Sequence, residues 1–447
     1  MLQNLVIPEV RELISLRDWE NIKALLQNWP APDIAKLLCE LDEETEMPVV
    51  FRLIKKESAA DVFSELDPEI QEMLLQQMNN QQIKQILIDL PPDDRTSLFE
   101  ELPGKITRQL INLLPTNDRR ESLKLLGYPE YSVGRLMTPD YVAVRPEWTL
   151  ERALSHIRLK GRNSETLNII YVVDEQWKFV DAMELRYFIL GSPDQQVHEI
   201  LDHSFVKLLV TDEQEKAVEV MEHYNISALP VVDADETLLG IVTFDDVMDV
   251  AKEEVTEDFH KTAAVNPLEE SYLSASPFTL YKKRIGWLLA LIFMNIFSGA
   301  VISSFEVMIS QVVALVFFLP LLIGSSGNAG SQASTLVVRA MTTHDVEMKD
   351  WLKLFSKDFF VSLLLGVTMA LIVSGLGFLR VGSVTLALVL AVAMLVNVII
   401  GSIMGTLLPF ILRLFRLDPA AASAPLIASL ADISGVLIYF SVASLIL

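Results

Sequence analysis

Long apolar stretches separated by short charged segments dominate the last third of the chain. Five apolar runs follow one another there, and they cover residues 285–305, 307–338, 359–379, 381–412 and 419–447; the first four are uncharged. Because an α-helix rises 1.5 Å per residue, about 20 residues cross the ~30 Å hydrocarbon core of a bilayer. The pattern therefore predicts five transmembrane helices in an α-helical membrane domain over residues 271–447.

The first part of the chain, residues 1–128, has a different, shorter helical pattern. Proline and acidic residues recur at the start of apolar segments, as in 67–69, and this is typical of the first turn of a helix. Apolar residues then recur three or four positions apart, as in Ile70, Met73 and Leu74. These signals predict short helices stacked in pairs into an all-α superhelical domain.

Two strand-like segments, 171–174 and 230–233, mark a change to an α/β pattern. Each is followed by a second apolar run and preceded by an amphipathic helix, and the two units superimpose at an offset of 59 residues. A strand–helix pattern that occurs twice predicts two related α/β modules. We place them at residues 129–196 and 197–250, and an acidic helix over 246–270 connects them to the membrane domain.

The acidic connecting helix carries four carboxylates on one face. Asp246, Asp249, Glu253 and Glu257 are spaced by three, four and four residues. Like charges on one face repel, so they need water, basic neighbours such as Lys252, or a bound cation. Mg²⁺ takes oxygen ligands and usually keeps several waters while contacting one or two carboxylates. Two interpretations stay open, a solvated face and a set of half-sites for a divalent cation that another domain or subunit completes.

Charge is distributed unevenly along the chain. The formal charge is −23, and residues 1–283 have a net charge of −24, so we expect no nucleic-acid partner. If these residues are cytoplasmic, nine Lys and Arg residues flank the spans on that side, and Arg380 alone lies on the other. The positive-inside rule then predicts a multi-pass protein of the plasma (inner) membrane, in contact with lipid, with its C-terminus outside. The start of the sequence has no signal-peptide pattern, and the single Cys39 excludes an internal disulfide framework.

One ionisable residue, Asp432, lies near the middle of the last apolar run. An ionised acid at the bilayer midplane costs at least ~2.5 kcal/mol unless water, a partner or a cation compensates it. No Lys or Arg occurs at comparable depth in any of the five runs. A buried structural acid or a proton relay would also fit such a residue, but the missing basic partner favours a bound cation.

Small and polar residues in two other runs mark further candidates. The segment 320–332 is rich in Gly and Ser, which let helices pack closely or let a broken helix turn its carbonyls toward a cavity. The fourth run has a similar polar face that includes Asn397 and Ser402. Asp418-Pro419 has the signature of a helix start, so we expect the fifth helix to begin there.

The second α/β module resembles a CBS domain, most closely over residues 240–247 (Gly-Ile-Val-Thr-Phe-Asp-Asp-Val). In such domains a Thr and the Asp three residues later contact the ribose of an adenine nucleotide. The resemblance therefore implies that Thr243 and Asp246 bind ATP or another adenine nucleotide. The first module of this tandem CBS pair departs from the pattern, with Asp181 in the place of Gly240. We expect at most one nucleotide site.

The order of these parts resembles the MgtE family of magnesium transporters over essentially the whole chain. The motifs that carry the resemblance occur in family order, and they are 136–139 (Leu-Met-Thr-Pro), 245–247 (Asp-Asp-Val), Glu257-Asp258, Gly327-Asn328, Asp418-Pro419 and Asp432. The resemblance implies a homodimeric channel with a pore between the two membrane domains, where Asp432 holds hydrated Mg²⁺. It also implies that intracellular Mg²⁺, bound between the cytosolic domains and the connecting (plug) helix, holds the pore shut.

The residues implied as the Mg²⁺ sensor are carboxylates outside the apolar runs. Family positions give Asp246, Asp249, Glu257 and Asp418, an approximate alignment adds Asp61, Asp93 and Asp94, and the helical face described above adds Glu253.

The residues implied as pore lining lie in three of the apolar runs, and they are Gly327, Asn328, Ser402, Ala428 and Ser429. Ser402 stands where the family has an asparagine, and Ala428-Ser429 stands in a region where Gly and paired Thr are common. Fewer amide oxygens would therefore line the pore. This leaves the selectivity among Mg²⁺, Co²⁺, Mn²⁺ and Ca²⁺ open, and a broader divalent-cation transporter is the alternative.

Two other classes of function are alternatives for this sequence, a metal-dependent enzyme and a non-transporting sensor built on the CBS pair. His198 and His203 resemble a zinc motif, but histidines five residues apart do not share a helical face. The membrane runs contain no pairing of a nucleophile with a base. We therefore expect transport and no enzymatic activity.

Overall fold

The structure is a computed structural model that describes residues 3–42, 45–268, 272, 275–343 and 345–447. The chain divides into two compact units, Met1–Lys252 and Glu253–Leu447. The first unit contains the short helices and the α/β part, and the second contains the long apolar helices.

Ten short helices begin the first unit. They are α1 (Gln3–Ser15), α2 (Trp19–Leu26), α3 (Ala31–Cys39), α4 (Met47–Phe51), α5 (Lys56–Ser64), α6 (Pro68–Gln77), α7 (Asn80–Asp89), α8 (Pro92–Glu101), α9 (Gly104–Leu113) and α10 (Thr116–Leu125). Proline lies in the cap or first turn of α3, α6 and α8, as the sequence predicts. Alternate helices pack together, α3 on α5, α5 on α7 and α7 on α9, around buried Leu38, Phe63 and Leu87. The predicted stack of short helices is confirmed.

Two three-stranded sheets follow the short helices. Their elements are α11 (Val133–Leu136), β1 (Ala143–Val144), α12 (Leu150–Lys160), β2 (Ile169–Val173), β3 (Phe179–Glu184), α13 (Leu185–Leu190), β4 (Leu208–Leu209), α14 (Gln214–Tyr224), β5 (Ala228–Val232) and β6 (Leu238–Thr243). In each sheet the first strand runs parallel to the middle strand, and the third runs antiparallel to it. The strands β2 and β5, and likewise β3 and β6, are related by the predicted 59 residues. The two related α/β modules are confirmed.

The two modules share a hydrophobic core. Tyr171 of β2 is fully buried in it together with Ala228 of β5 and Ile241 of β6. The next helix, α15 (Phe244–Thr262), begins directly after β6. The end of this sheet therefore places Thr243 beside the acidic first turn of α15.

The end of α15 corrects the sequence prediction, which extended the connecting helix to residue 270. The backbone turns left-handed at Ala264 (φ 56°). The N–H groups of Ala264 and Val265 return to the carbonyls of Lys261 and His260. This double hydrogen bond closes the helix in the manner usually found with glycine, so α15 ends at Thr262, and residues 269–270 lie outside the described residues.

In the part of the second unit that the structure describes, six α-helices follow α15. They are α16 (Pro277–Ser304), α17 (Glu306–Gln311), α18 (Ala314–Thr342), α19 (Trp351–Val381), α20 (Val384–Leu414) and α21 (Ala424–Ile446). Among the described residues, five helices are long and apolar enough to cross a membrane, and α17 is not one of them. The predicted five spans are confirmed.

The start of α21 is the second correction. The Asp418 side chain accepts a hydrogen bond from the Ala420 N–H (2.8 Å), and so it caps a short 3₁₀ turn over Pro419–Ala421. The spanning helix begins at Ala424, where the Ser423 hydroxyl accepts a hydrogen bond from the Leu426 N–H. The helix start predicted at Asp418 is thus a separate turn that precedes the helix.

Candidate functional site

Backbone contact between α18 and α20 forms the centre of the membrane domain. A Cβ atom on Gly405 would lie 2.0 Å from the Gly330 carbonyl oxygen, and one on Gly401 would lie 2.4 Å from the Ser326 carbonyl oxygen. No side chain fits in either place. Of the two interpretations of the small-residue segment 320–332, close helix packing is the one that the structure contains, and α18 is helical throughout this segment.

Asp432 lies on α21, eight residues after the helix begins, which is about 12 Å along its axis. Its side chain is partly exposed, and it has no ion pair within the described part of the chain. One turn earlier, Ala428 faces Gly327, whose Cβ would lie 3.4 Å from the Ala428 Cα. The acid therefore projects from a helix that is held closely against α18.

The predicted pore-lining residues do not all have the same environment. Asn328 is exposed and Ala428 is partly exposed, whereas Gly327 is buried. Ser402 and Ser429 are 3% and 6% exposed, and the Ser429 hydroxyl donates to the Pro425 carbonyl of its own helix. In one chain, the helices of the bundle cover both serines, whereas Asn328 and Ala428 are accessible.

Asn397 is a polar residue whose place at this level the sequence did not reveal. It is fully buried, and its Nδ2 donates to the Gly435 carbonyl (3.4 Å). Its backbone carbonyl accepts a hydrogen bond from the Ser326 hydroxyl (2.9 Å). Its Oδ1 has no hydrogen-bond partner. Asn397 of α20 is thus hydrogen-bonded both to Ser326 of α18 and to Gly435 of α21. Gly435 lies three residues after Asp432 in the sequence.

A cluster of carboxylates occupies the first unit, where α8 and the first turn of α15 come together. Asp93 of α8 is 7% exposed, and its Oδ1 has no hydrogen-bond partner. Burial raises the pKa of Asp93 well above its usual value, and the charges of Asp246, Asp94 and Glu165 raise it further. The carboxyl groups of Asp93 and Asp246, about 150 positions apart in the sequence, are therefore close enough for their charges to interact.

The pKa values of neighbouring acids respond in the same way. Burial raises the pKa of Asp246 to about 7, and the charges of Asp245, Asp94 and Glu165 add to this rise. A hydrogen bond from the Thr243 hydroxyl (2.5 Å) acts in the opposite direction and lowers the pKa. The pKa of Asp94 rises to about 6 for the same principal reason. Asp93, Asp94, Asp246 and Glu165 are called the acidic cluster below.

The acidic cluster differs from the sequence prediction in its membership. Glu165, from the loop before β2, is a member that the sequence did not reveal. Burial is the main cause that raises its pKa, and the charges of Asp245, Asp94, Asp140 and Asp61 raise it further, in that order of size. Asp61 is itself exposed. Among the described residues, no three acidic, His or Cys side chains form a ready-made metal centre.

The predicted acidic face of α15 divides into separate environments. Asp249 is exposed and pairs with Lys252 (2.6 Å), which is the solvated arrangement weighed from the sequence, and Glu253 is exposed as well. Glu257, nearer the end of the helix, is 2.6 Å from the Lys261 ammonium. That same ammonium is 2.6 Å from Asp418.

The two modules differ near the predicted nucleotide positions, where Asp181 of the first module stands in the place of Gly240 of the second. In the second, Thr243 is 5% exposed and donates to Asp246. In the first, Asp181 is buried and accepts hydrogen bonds from the N–H groups of Ala182 and His203 (2.9 Å each). Its carboxylate therefore fixes the linker between the modules.

Comparison with known proteins identifies the relatives of the chain. Family models match at residues 319–442 (MgtE, divalent cation transporter), 10–131 (MgtE intracellular N domain), and 133–181 and 197–253 (CBS domain). The magnesium transporter MgtE of Thermus thermophilus is 39% identical over 329 residues, which are 74% of this chain and 73% of that protein. This chain belongs to the MgtE family.

Two further relatives of this MgtE-family chain support the assignment. The magnesium transporter MgtE of Bacillus subtilis is 32% identical over 72% of this chain and 70% of its own length. A crystal structure of the cytosolic domain of the Mg²⁺ channel MgtE in complex with ATP matches with a TM-score of 0.52 and 34% identity, over 55% of this chain and 99% of that one. The helical domain and CBS pair of the family are thus present here.

Proposed function

We propose that this MgtE-family chain transports Mg²⁺ across the bacterial plasma membrane and works as a homodimer. One observation carries the proposal, namely an acid in the last of five apolar spans, Asp432, that is partly exposed and has no ion pair within the described part of the chain. A carboxylate in that position needs a cation or water beside it. The relatives that match over most of the chain are magnesium transporters.

The pathway would run along the accessible surface near Asp432. A second copy that faces this surface would bring two Asp432 carboxylates to one path, with Asn328 and Ala428 nearby. Mg²⁺ gives up its waters reluctantly, so the carboxylates would accept hydrogen bonds from those waters. Ser402 and Ser429 would support the surrounding helices from within the bundle, and Asn397 would hold the backbone at Gly435.

The acidic cluster would sense internal Mg²⁺. Its carboxylates repel one another when they are ionised, and a divalent cation with its waters would offset this repulsion and bridge α8 to α15. Asp249, Glu253 and Asp61 would contribute from the exposed rim. Mg²⁺ would also act at Glu257 and Asp418, so that binding at both places holds the pore shut.

Proton competition gives a test of the acidic cluster. Because folding raises these pKa values, the acids stabilise the metal-free cluster when they are protonated, and this stability is lost between about pH 4 and 7. Mg²⁺ binds the ionised form. We expect the Mg²⁺ concentration that half-protects the segment after α15 from proteolysis to fall at least about threefold from pH 6 to pH 8, as Asp94 and Asp246 lose their protons. The same concentration at both pH values would remove the cluster from the sensor.

A nucleotide site at the second CBS module is part of the proposal. Thr243 and Asp246 would hydrogen-bond the ribose hydroxyls of ATP or another adenine nucleotide, and the hydrogen bond between the two side chains presets their spacing. The related cytosolic domain in complex with ATP supports this choice. Since Asp246 also belongs to the acidic cluster, nucleotide and Mg²⁺ would act on the same helix turn.

The proposed topology places residues 1–283 in the cytoplasm and the C-terminus outside. Arg339 and Arg413 lie in the last turns of α18 and α20, which would be their cytoplasmic ends. Arg380 ends α19 on the opposite side. The surrounding partner of these spans would be lipid.

Uptake into proteoliposomes that contain the full chain tests the function as a whole. We expect Mg²⁺ uptake that stops as luminal Mg²⁺, on the side of the cytosolic domains, reaches millimolar levels. Parallel measurements with Co²⁺, Mn²⁺ and Ca²⁺ decide between a Mg²⁺-selective channel and a broader divalent-cation transporter. No flux of any of the four cations would leave a non-transporting sensor as the function.

A further inference from the structure

The Lys261 ammonium bridges two carboxylates that come from distant parts of the sequence. Its Nζ lies 2.6 Å from Glu257 Oε1, one turn earlier on α15, and 2.6 Å from Asp418 Oδ2, in the loop before α21. The three side chains are 29%, 37% and 37% exposed. The bridge is therefore accessible to water and to ions.

The two carboxylates are carried by different elements, Glu257 by α15 and Asp418 by the turn before α21. Glu257 and Lys261 are four residues apart on one helix, in the order that favours their pairing. The other oxygen of Asp418 accepts a hydrogen bond from the Ala420 N–H (2.8 Å). The position between the two acids is thus built by the helix and the turn, and the ammonium fills it.

The two oxygens are close enough for one divalent cation, with or without a bridging water, to reach both. Because both lie 2.6 Å from one nitrogen, they are at most about 5.2 Å apart. A Mg²⁺ ion that ligated both would hold them within about 4.2 Å, and one that kept a water on one side would hold them farther apart. An ammonium and a Mg²⁺ ion could not be there together without strong repulsion.

We propose that Lys261 is a built-in monovalent counter-ion, which occupies the cation position between Glu257 and Asp418 and which internal Mg²⁺ must displace. This inference rests on the proposed function, since it takes Glu257 and Asp418 as part of the Mg²⁺ sensor. The lysine has two effects of opposite sign. It joins the end of α15 to the loop before α21 when Mg²⁺ is scarce, and it competes with Mg²⁺ as the concentration rises.

The competition sets the range of Mg²⁺ over which the channel closes. Without the ammonium, the two acids repel each other in the absence of Mg²⁺ and attract Mg²⁺ more strongly once it is present. Closure would then depend on Mg²⁺ entirely and would occur at a lower concentration. The charge of Lys261, and not its size, is what produces both effects.

The test compares three variants of the full chain by single-channel current at a series of internal Mg²⁺ concentrations. We expect Lys261→Gln to raise the open probability in nominally Mg²⁺-free solution and to lower the half-inhibiting Mg²⁺ concentration by about threefold or more, the range of a partly exposed ion pair. Lys261→Arg keeps the charge and should stay within about twofold of the wild type. The control is Lys349→Gln, which removes an exposed lysine paired with Glu347 (2.7 Å) away from this position.

Each outcome decides the proposal. An unchanged or increased half-inhibiting concentration in Lys261→Gln overturns it, and so does a Lys261→Gln channel that Mg²⁺ no longer closes, because the lysine would then be needed for closure itself. A lowered concentration in Lys261→Arg as well would assign the effect to shape and overturn the role of charge. Failure of the proposed function is recognised separately, since the wild type would then show no Mg²⁺ current.

Discussion

Asp432→Asn is expected to reduce Mg²⁺ uptake by about ten- to a hundredfold. The substitution keeps the size of the side chain and removes the negative charge that would face the hydrated ion in the proposed pathway. Hydrogen bonds to a charged group contribute about 1.5–3 kcal/mol, and each 1.4 kcal/mol changes an equilibrium tenfold. Uptake of Mg²⁺ into proteoliposomes, measured at equal amounts of inserted protein, checks the expectation.

A matched control for Asp432→Asn is Glu306→Gln, which neutralises an acid on the short helix α17 outside the spans. Its uptake should stay within about twofold of the wild type, because an exposed charge is screened by salt. Asp432→Glu should retain more uptake than Asp432→Asn, since it keeps the charge. If Asp432→Asn transports Mg²⁺ as well as the control does, the ion does not pass this residue.

Neutralising Asp246, Asp249 and Glu257 together is expected to leave the channel open at internal Mg²⁺ levels that close the wild type. The triple variant Asp246→Asn, Asp249→Asn, Glu257→Gln removes ligands from both proposed sensor regions. Millimolar Mg²⁺ should then no longer protect the segment after α15 from proteolysis, and the half-inhibiting concentration should rise at least about tenfold. Current and limited proteolysis on the same preparation measure both effects.

The control for the triple variant must change the charge by the same amount. Glu147→Gln, Glu175→Gln and Asp194→Asn remove three exposed acids of the first CBS module, and this set should leave closure by Mg²⁺ unchanged. A sensor variant that closes like the control contradicts the assignment of these acids. A variant that stays shut without Mg²⁺ contradicts it as well, because relief of repulsion would then be sufficient for closure.

Much of the fold follows from periodicity alone. The five spans, the short helices and the pair of α/β modules are repeated patterns of apolar residues, and repetition is visible without any knowledge of contacts. Helix ends were harder to predict. The end of α15 depends on a left-handed alanine, Ala264, which is a position that sequence rules reserve for glycine or asparagine. The Asp418-Pro419 pair formed a turn of its own because Ser423 and Pro425 supply a second start signal.

The candidate sites were predictable to the extent that their residues lie close together in the sequence. The acidic face of α15 can be recognised from its spacing, but the buried Asp93 and the missed Glu165 reach Asp246 through tertiary packing. Asn397 could be seen as polar, whereas its complete burial against Gly435 could not. Lys252 is visible in the sequence as a basic neighbour of the α15 acids, but no local signal indicates that Lys261 reaches Asp418, a residue more than 150 positions away.

The Gly330 carbonyl lies directly against the Cα of Gly405. This contact leaves α18 and α20 no freedom to slide along each other. A shift of one residue along either axis would move a side chain into a space where even a methyl group does not fit. We therefore expect gating to occur without shear between these two helices. The pair would move as one rigid body, and hinges elsewhere, such as the turn at Pro419–Ala421 that precedes the helix of Asp432, would absorb the displacement.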